Sequence, residues 1–384
     1  MKNIYLLGAT GSIGSQTIEI IEEFPNEFNL IAISGYSNLE KIIEIGSKFA
    51  LEMIAVKDEE DAKIIQNIFR DVKIVFGPSG LEAIANLNPE DKDGILINAL
   101  VGMVGLKPTI EAIKVDRDIL LANKETLVVG GHLIKELLST HNVNLYPIDS
   151  EHNAIWQIME GENKDNIKQL IITASGGSFR DLSKAELNDV TLKDALNHPN
   201  WSMGKKITID SATMMNKGFE IIEAAYLFDI EIDKIKPLIH KESIIHSMVE
   251  FVDNSVIAQL ANHDMKLPIS YAMFYPTRVK NLTEPLDFST IGKLHFEKVD
   301  YERYPLLTLA IECFKAGGSS RTVLNAANEA AVQLFLKEKI RFVDIETIVI
   351  DAVKHHQIVQ NPTLEQIYEI DQFVKQDIFN KYDI

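Results

Sequence analysis

Residues 2–15 read KNIYLLGATGSIGS. The run Ile4–Leu7 is short and apolar, as a buried strand is. Gly8, Gly11 and Gly14 follow at GxxGxxG spacing, and Ile18, Ile21 and Glu22 open a helical pattern. Strand, tight glycine turn and helix N-terminus are what a dinucleotide pyrophosphate needs, because glycines admit the phosphate to the backbone and the helix end offers N–H donors. The other use of such a turn is packing alone. The next strand, FNLIAIS, runs into Gly35-Tyr36-Ser37-Asn38. An Asp or Glu there would hold a ribose 2′-OH. None is present, which points to a 2′-phosphate and an NADP-type cofactor, with Ser37, Asn38 and Lys41 as candidate contacts.

Outward from this unit, apolar strands alternate with helical stretches: MIAV (53–56), KIVFG (73–77), GILINALVG (94–102) and DILLA (118–122). The spacing predicts a parallel sheet with helices on both faces. Asn123, Lys124 and Glu125 lie at the carboxyl end of the DILLA strand, the edge where open α/β sheets take ligands. The next strand is expected to close with Asp149-Ser150-Glu151. In extended chain the two carboxylates face one side, unfavourable unless a cation sits between them. An Asp N-cap with Glu in the first helical turn is the alternative. LIITASGGSF repeats the strand-then-glycine pattern at Ser175-Gly176-Gly177-Ser178, a backbone cradle for an anion or a plain turn.

The most chemically loaded stretch is HPNWSMGKKITIDSATMMNKGFE, 198–220. KKITID alternates and is expected to be a half-buried strand, with Ser211 as the N-cap of a helix buried through Met215, Phe219, Ile222 and Tyr226. Thr213, Asn216, Lys217 and Glu220 share another face. Either this is a solvated face with an ordinary Lys217–Glu220 ion pair, or it is a phosphate grip followed by a metal-binding carboxylate. Trp201 and Met203, in a polar loop, suggest a lid over 198–204. Residues 243–261 read as a hairpin turning at Asp253-Asn254, able to extend a sheet or pair across a dimer. After about residue 300 the pattern is helical, and Thr363-x-x-Gln366 is a capping box. The adjacent His355 and His356 point to different faces and read as surface residues.

The expected architecture is α/β, in three parts. A Rossmann-type parallel sheet occupies 1–148. A central α/β (α+β) catalytic domain occupies 149–299, with the mobile lid and dimerisation strands. A small α-helical domain occupies 300–384. The chain has 384 residues, 46% hydrophobic and 24% charged, with net charge −18. That charge argues against broad nucleic-acid or anionic-membrane binding, while leaving room for a small anionic substrate held by local cations. A single cysteine, Cys313, excludes an intrachain disulfide and suits a reducing cytoplasm. No apolar run reaches a membrane span and none resembles a signal peptide.

Taken together, GATGSIG, LLANKE, DSEHNAIWQ, TASGGSF, HPNWSMGKKITIDSATMMNKGFE and the helical tail resemble the 1-deoxy-D-xylulose 5-phosphate reductoisomerase family, collinearly over nearly the whole chain. The resemblance implies conversion of 1-deoxy-D-xylulose 5-phosphate to 2-C-methyl-D-erythritol 4-phosphate with NADPH and a divalent metal (Mg²⁺, Mn²⁺ or Co²⁺), in the non-mevalonate isoprenoid pathway, by a homodimer. It implies metal ligation by Asp149, Glu151 and Glu220, and substrate phosphate binding by Ser175, Ser211, Asn216 and Lys217. Lys124, Glu151 and His198 would be catalytic, Ser150 would touch substrate, and Trp201 with Met203 would close over it. The cofactor would use Gly8, Thr10, Gly11, Ser12, Ile13, Gly35, Ser37, Asn38, Asn123, Glu125 and Gly204. Two rivals are a homoserine- or semialdehyde-type dehydrogenase and a nucleotide-sensing regulator. Neither uses three carboxylates beside a Ser/Asn/Lys anion site.

Overall fold

The computed structural model describes residues 1–280 and 283–382. The chain forms two compact units. The first comprises Met1–Thr126, Leu133–Asn153 and Asp264–Thr283. Its sheet contains β1 (Lys2–Leu7), β2 (Phe28–Ser34), β3 (Met53–Val56), β4 (Lys73–Phe76), β5 (Ile95–Asn98), β6 (Asp118–Leu121) and β7 (Leu145–Pro147). The order is β4-β3-β2-β1-β5-β6-β7 and every pairing is parallel. Ile4, Tyr5, Leu6 and Leu7 on the central strand are fully buried, the near-continuous apolar run expected where helices cover both faces. Arg117, just before β6, is also fully buried; its Nη1 donates to the Ala85 carbonyl (2.7 Å) and its guanidinium stacks 3.8 Å over the Tyr5 ring. The remote helix Lys266–Phe274 joins this unit at both ends, and at the first Lys266 pairs with Glu19 (2.6 Å). The Phe274 ring meets Phe24 and Phe28 edge-on, each at 4.8 Å.

The second unit comprises Leu127–His132, Ala154–His263 and Glu284–Ile384. Its sheet contains β8 (Ile167–Ala174), β9 (Ile235–Ile239), β10 (Ile245–Phe251), β11 (Val256–Leu260) and β12 (Glu297–Lys298), in the order β11-β10-β8-β9-β12. β8 and β9 are parallel and the other pairings antiparallel. The predicted hairpin is β10–β11, with Asn254 in its turn at φ +66. Four long helices, Pro305–Ala316, Ser320–Leu336, Phe342–His355 and Leu364–Lys381, make up the predicted helical tail, and Thr363 with Gln366 forms the predicted capping box.

Two local expectations fail. KKITID is not a strand. It lies in the helix Lys205–Thr213, where Lys206 pairs with Asp210 one turn on (2.7 Å) and Asn328 Nδ2 donates to the same carboxylate (2.8 Å). Ser211 is therefore inside this helix rather than capping the next, and Met214, at φ +60, joins it to the helix Met215–Phe228. Asp149-Ser150-Glu151 is not extended either. The helix Ser150–Met159 begins immediately, and the Asn153 N–H donates to the Asp149 carbonyl (2.8 Å), so Asp149 stands at the cap position.

Candidate active site

In the first unit, Gly8 turns the chain at φ +83, and a Cβ there would stand 2.5 Å from the Ala99 carbonyl oxygen. A Cβ on Gly14 would lie 2.2 Å from the Gly8 oxygen. Both glycines allow turn, helix and β5 to touch. Gly11 plays a different part. It is the exposed N-cap of the helix Ser12–Glu23 and brings no side-chain acceptor to the first-turn N–H groups. Thr10, Ser12 and Ile13 surround this end, half-buried or exposed. A bare helix N-terminus of this kind favours a phosphate.

After β2, Gly35 is enclosed, and a Cβ on it would press on Ile42 and Thr10 at 2.9 Å. Ser37 is exposed. Asn38 caps the helix Leu39–Lys48 by accepting from the Lys41 N–H (3.0 Å), and the Lys41 ammonium donates to Ser15 on the first helix. Burial pushes the Tyr36 hydroxyl up to about 12.

At the carboxyl ends of β5 and β6, Asn123 is fully buried and caps the helix Lys124–Leu138. Its Nδ2 donates to the carbonyls of Leu100 (3.0 Å) and Gly102 (2.9 Å), and its Oδ1 accepts from the Thr126 N–H (3.1 Å). Its amide thus pins the loop after β5. Lys124, 5% exposed, forms an ion pair with Asp149 at 2.5 Å from the end of the neighbouring strand β7. Glu125 is buried beside it. Ser150 Oγ donates to Glu151 Oε2 (2.7 Å). Lys124, Asp149, Ser150 and Glu151 therefore gather at one sheet edge, with one carboxylate at the helix cap and the other in its first turn rather than both on one strand face.

In the second unit, β8 delivers Ser175 to a turn in which Gly176 and Gly177 take φ of +84 and +74. A Cβ on Gly177 would be 2.5 Å from the Ser211 carbonyl oxygen, so the turn is packed on the last turn of the helix Lys205–Thr213. The left-handed joint at Met214 then swings the chain into Met215–Phe228, whose first turns carry Asn216, Lys217 and Glu220. Lys217 and Glu220 are 3% and 1% exposed. Lys217 Nζ and Asn216 Nδ2 both donate to the Glu220 carboxylate. The ordinary solvated ion pair is thereby ruled out: this pair is inside the protein, where charges persist only when paired and hydrogen-bonded.

His198 Nδ1 accepts the N–H groups of Asn200 (3.2 Å) and Trp201 (3.0 Å), so the ring proton resides on Nε2. That proton is donated to Ser175 Oγ (3.0 Å), which also accepts the Gly177 N–H (3.1 Å). Burial, followed by the Arg180 guanidinium and then His263, pushes the His198 imidazole down to about 4. The ring is a neutral donor at physiological pH. Trp201 is half-buried, edge-on to the rings of His263 (5.3 Å) and His246 (5.9 Å). Met203 is half-buried, and Gly204 caps the helix Lys205–Thr213 in open space. Arg180, Asn200 and His263 were not singled out from sequence. All three act on backbone carbonyls, for which no side-chain spacing exists to read.

These pieces match known proteins. Family models of 1-deoxy-D-xylulose 5-phosphate reductoisomerase match residues 4–131, and those of its C-terminal domains match 145–228 and 260–377. The chain is 51% identical to a 1-deoxy-D-xylulose 5-phosphate reductoisomerase of Macrococcus caseolyticus, with all of both chains covered. It is also 51% identical to reductoisomerase 2 of Bacillus cereus, with 97% of each covered. A solved reductoisomerase in complex with NADPH, fosmidomycin and magnesium superposes with TM-score 0.94 at 39% identity, over 100% of this chain and 98% of that one. The Zymomonas mobilis enzyme with NADPH superposes with TM-score 0.91 at 38% identity, over 99% of each. The bare helix end at Gly11, the Lys124–Asp149 edge and the buried Lys217–Glu220 pair thus stand in a chain that belongs to the 1-deoxy-D-xylulose 5-phosphate reductoisomerase family.

Proposed function

We propose that the residues assembled above carry the family's reaction, the NADPH- and divalent-metal-dependent rearrangement and reduction of 1-deoxy-D-xylulose 5-phosphate to 2-C-methyl-D-erythritol 4-phosphate. The observation that carries the assignment is the buried Lys217–Glu220 pair, joined by the half-buried Asn216, on the helix that follows the Ser175–Gly177 turn. Burying an ammonium and a carboxylate together is costly, which fits a site built for an anion and a cation. Ser175, Ser211, Asn216 and Lys217 take the substrate phosphate. The Gly8–Gly14 turn takes the NADPH pyrophosphate on the helix end at Gly11, with Ser37 and Asn38 near the ribose. Asp149, Glu151 and Glu220 hold the metal; a set of carboxylate oxygens without thiolates fits Mg²⁺ or Mn²⁺. When bound, the metal supplies Lewis-acid polarisation of the ketone and NADPH supplies the hydride.

The chain's own groups do the remaining work. Neutral His198 offers an N–H toward the phosphate loop without adding a proton source. Lys124 supplies a cation at the sheet edge. Trp201 and Met203 cover the substrate and exclude water. The division into 1–148, 149–299 and 300–384 remains our reading of how these tasks are shared. A cytoplasmic homodimer is part of the same proposal. It is supported by the edge position of β11, where Val256 and Ile257 are 50% and 45% exposed. Among the described residues no helix is long and apolar enough to cross a membrane.

Glu220→Gln tests the metal assignment. Turnover, followed as loss of NADPH absorbance, is expected to disappear while the variant, with a lowered melting temperature from the unpaired Lys217, stays folded and still binds NADPH. Near-normal turnover at ordinary metal concentrations would remove Glu220 from the metal site. A chelator should stop the unmodified enzyme in the same assay.

A further inference from the structure

A closed ring of hydrogen bonds surrounds the Ser175 turn. Arg180 Nη1 donates to the carbonyl oxygens of Ser175 (3.2 Å) and Lys241 (2.9 Å). Asn200 Nδ2 reaches the same Lys241 oxygen (2.6 Å) and Ser243 Oγ (2.7 Å). Asn200 in turn belongs to the loop whose N–H groups fix His198, and His198 donates to Ser175 Oγ. The circuit runs Arg180, Ser175, His198, Asn200, Lys241 and back. The Lys241 carbonyl lies between β9 and β10, so the Ser175 turn and the lid loop are tied to one point of the sheet.

We propose that Arg180 is a positioning residue for substrate phosphate, holding the Ser175–Gly176 peptide and, through Lys241 and Asn200, the His198–Trp201 loop in one frame. The argument rests on peptide geometry. In a planar trans peptide the C=O and the following N–H point opposite ways. Drawing the Ser175 oxygen onto Arg180 therefore aims the Gly176 N–H away from the guanidinium, as an anion cradle requires. Gly176 fits this arrangement closely: its φ is +84, and a Cβ on it would sit 2.8 Å from Arg180 Cβ. Two carbonyls in fixed directions call for a guanidinium rather than an ammonium. Arg180 also lines an open cleft of about 450 Å³ with Lys184, Lys241, Glu297 and Arg303. Its position is thus reachable from solvent.

This inference rests on the phosphate-binding reading above, and the experiment separates the two. Steady-state kinetics are measured for Arg180→Ala, Arg180→Lys, Asn200→Ala and Lys217→Ala, with NADPH affinity and melting temperature recorded for each. Arg180→Ala is expected to raise KM for 1-deoxy-D-xylulose 5-phosphate roughly 10–100-fold, the range of one charge-assisted hydrogen bond lost, with NADPH affinity unchanged. Arg180→Lys should recover only part of the loss. Guanidinium ion at millimolar concentration should restore Arg180→Ala several-fold through the cleft, where urea at equal concentration does not. Asn200→Ala, which opens the circuit from its other side, should raise KM in the same sense. An unchanged KM in Arg180→Ala while Lys217→Ala raises it would overturn the role of Arg180 and leave the phosphate site standing. An unchanged KM in both would remove the phosphate reading itself. If Arg180→Ala does not fold, an unchanged KM in both Arg180→Lys and Asn200→Ala overturns the proposal.

Discussion

His198 carries a titration that can be read alone. The folded protein keeps its imidazole neutral down to about 4, whereas in an unfolded chain a histidine takes its proton near 6.5. Between those values the unfolded state binds more protons, so stability falls as pH falls through the window. Above roughly pH 6.5 both states are neutral and the residue contributes no slope. The expected NMR result is a His198 ring resonance that stays flat from pH 8 to pH 5 and moves only toward pH 4. A midpoint near the ordinary histidine value would sink the picture of a fixed Nε2–H donor. Cys313 shows the same physics with a different group: burial and the neighbouring Glu312 push its thiol up to about 12, which keeps it inert rather than nucleophilic.

Among the elements, those with strong periodicity were legible and those decided by distant partners were not. β1 to β3 and the helix Leu364–Lys381 follow from apolar runs, the helical spacing of Ile367, Ile370, Val374 and Ile378 (Ile370 being only half-buried), and the Thr363 box. KKITID misled because six alternating residues fit either period, and its helix is anchored by Asn328, 118 residues away in sequence. Asp149 to Glu151 misled because the strand ends at Pro147, before reaching either carboxylate. Of the site, residue types were legible and their burial was not; Lys217–Glu220 looks like any surface pair until the helix is packed. Lys375 shows the same blindness. It bridges Glu329 (2.5 Å) on Ser320–Leu336 and Asp371 (2.8 Å) on its own helix, and burial pushes the Asp371 carboxyl up. Lys375→Met leaves two carboxylates facing each other in a largely buried seam. It should cost about 3–5 kcal/mol in urea unfolding at pH 7, with the loss shrinking as pH is lowered toward 5 and the pair shares a proton. A change below about 0.5 kcal/mol would class the triad with exposed ion pairs.

The whole molecule carries 38 basic against 56 acidic residues, yet its substrate and cofactor are anions. Long-range attraction is therefore not what captures them. At physiological salt, charges beyond about 8 Å are screened, and capture falls to backbone N–H groups and a few local cations. Those local devices are divided between the compact units. The predicted cofactor residues, Gly204 excepted, belong to the first unit, and Ser175, Ser211, Asn216 and Lys217 belong to the second. Ligands placed this way should protect different parts of one chain. With NADPH at about 100 times its dissociation constant, the stabilisation available by mass action is about 2.7 kcal/mol. Hydrogen–deuterium exchange should then slow over residues 8–14 and 35–41, with little change over β8 and the 175–178 turn. Adding a phosphonate substrate analogue with magnesium should extend protection to 175–178, 198–204 and 211–220. Absence of protection at 8–14 with NADPH alone would place the cofactor elsewhere, and protection of 175–178 by NADPH alone would contradict the division of labour between the two anion sites.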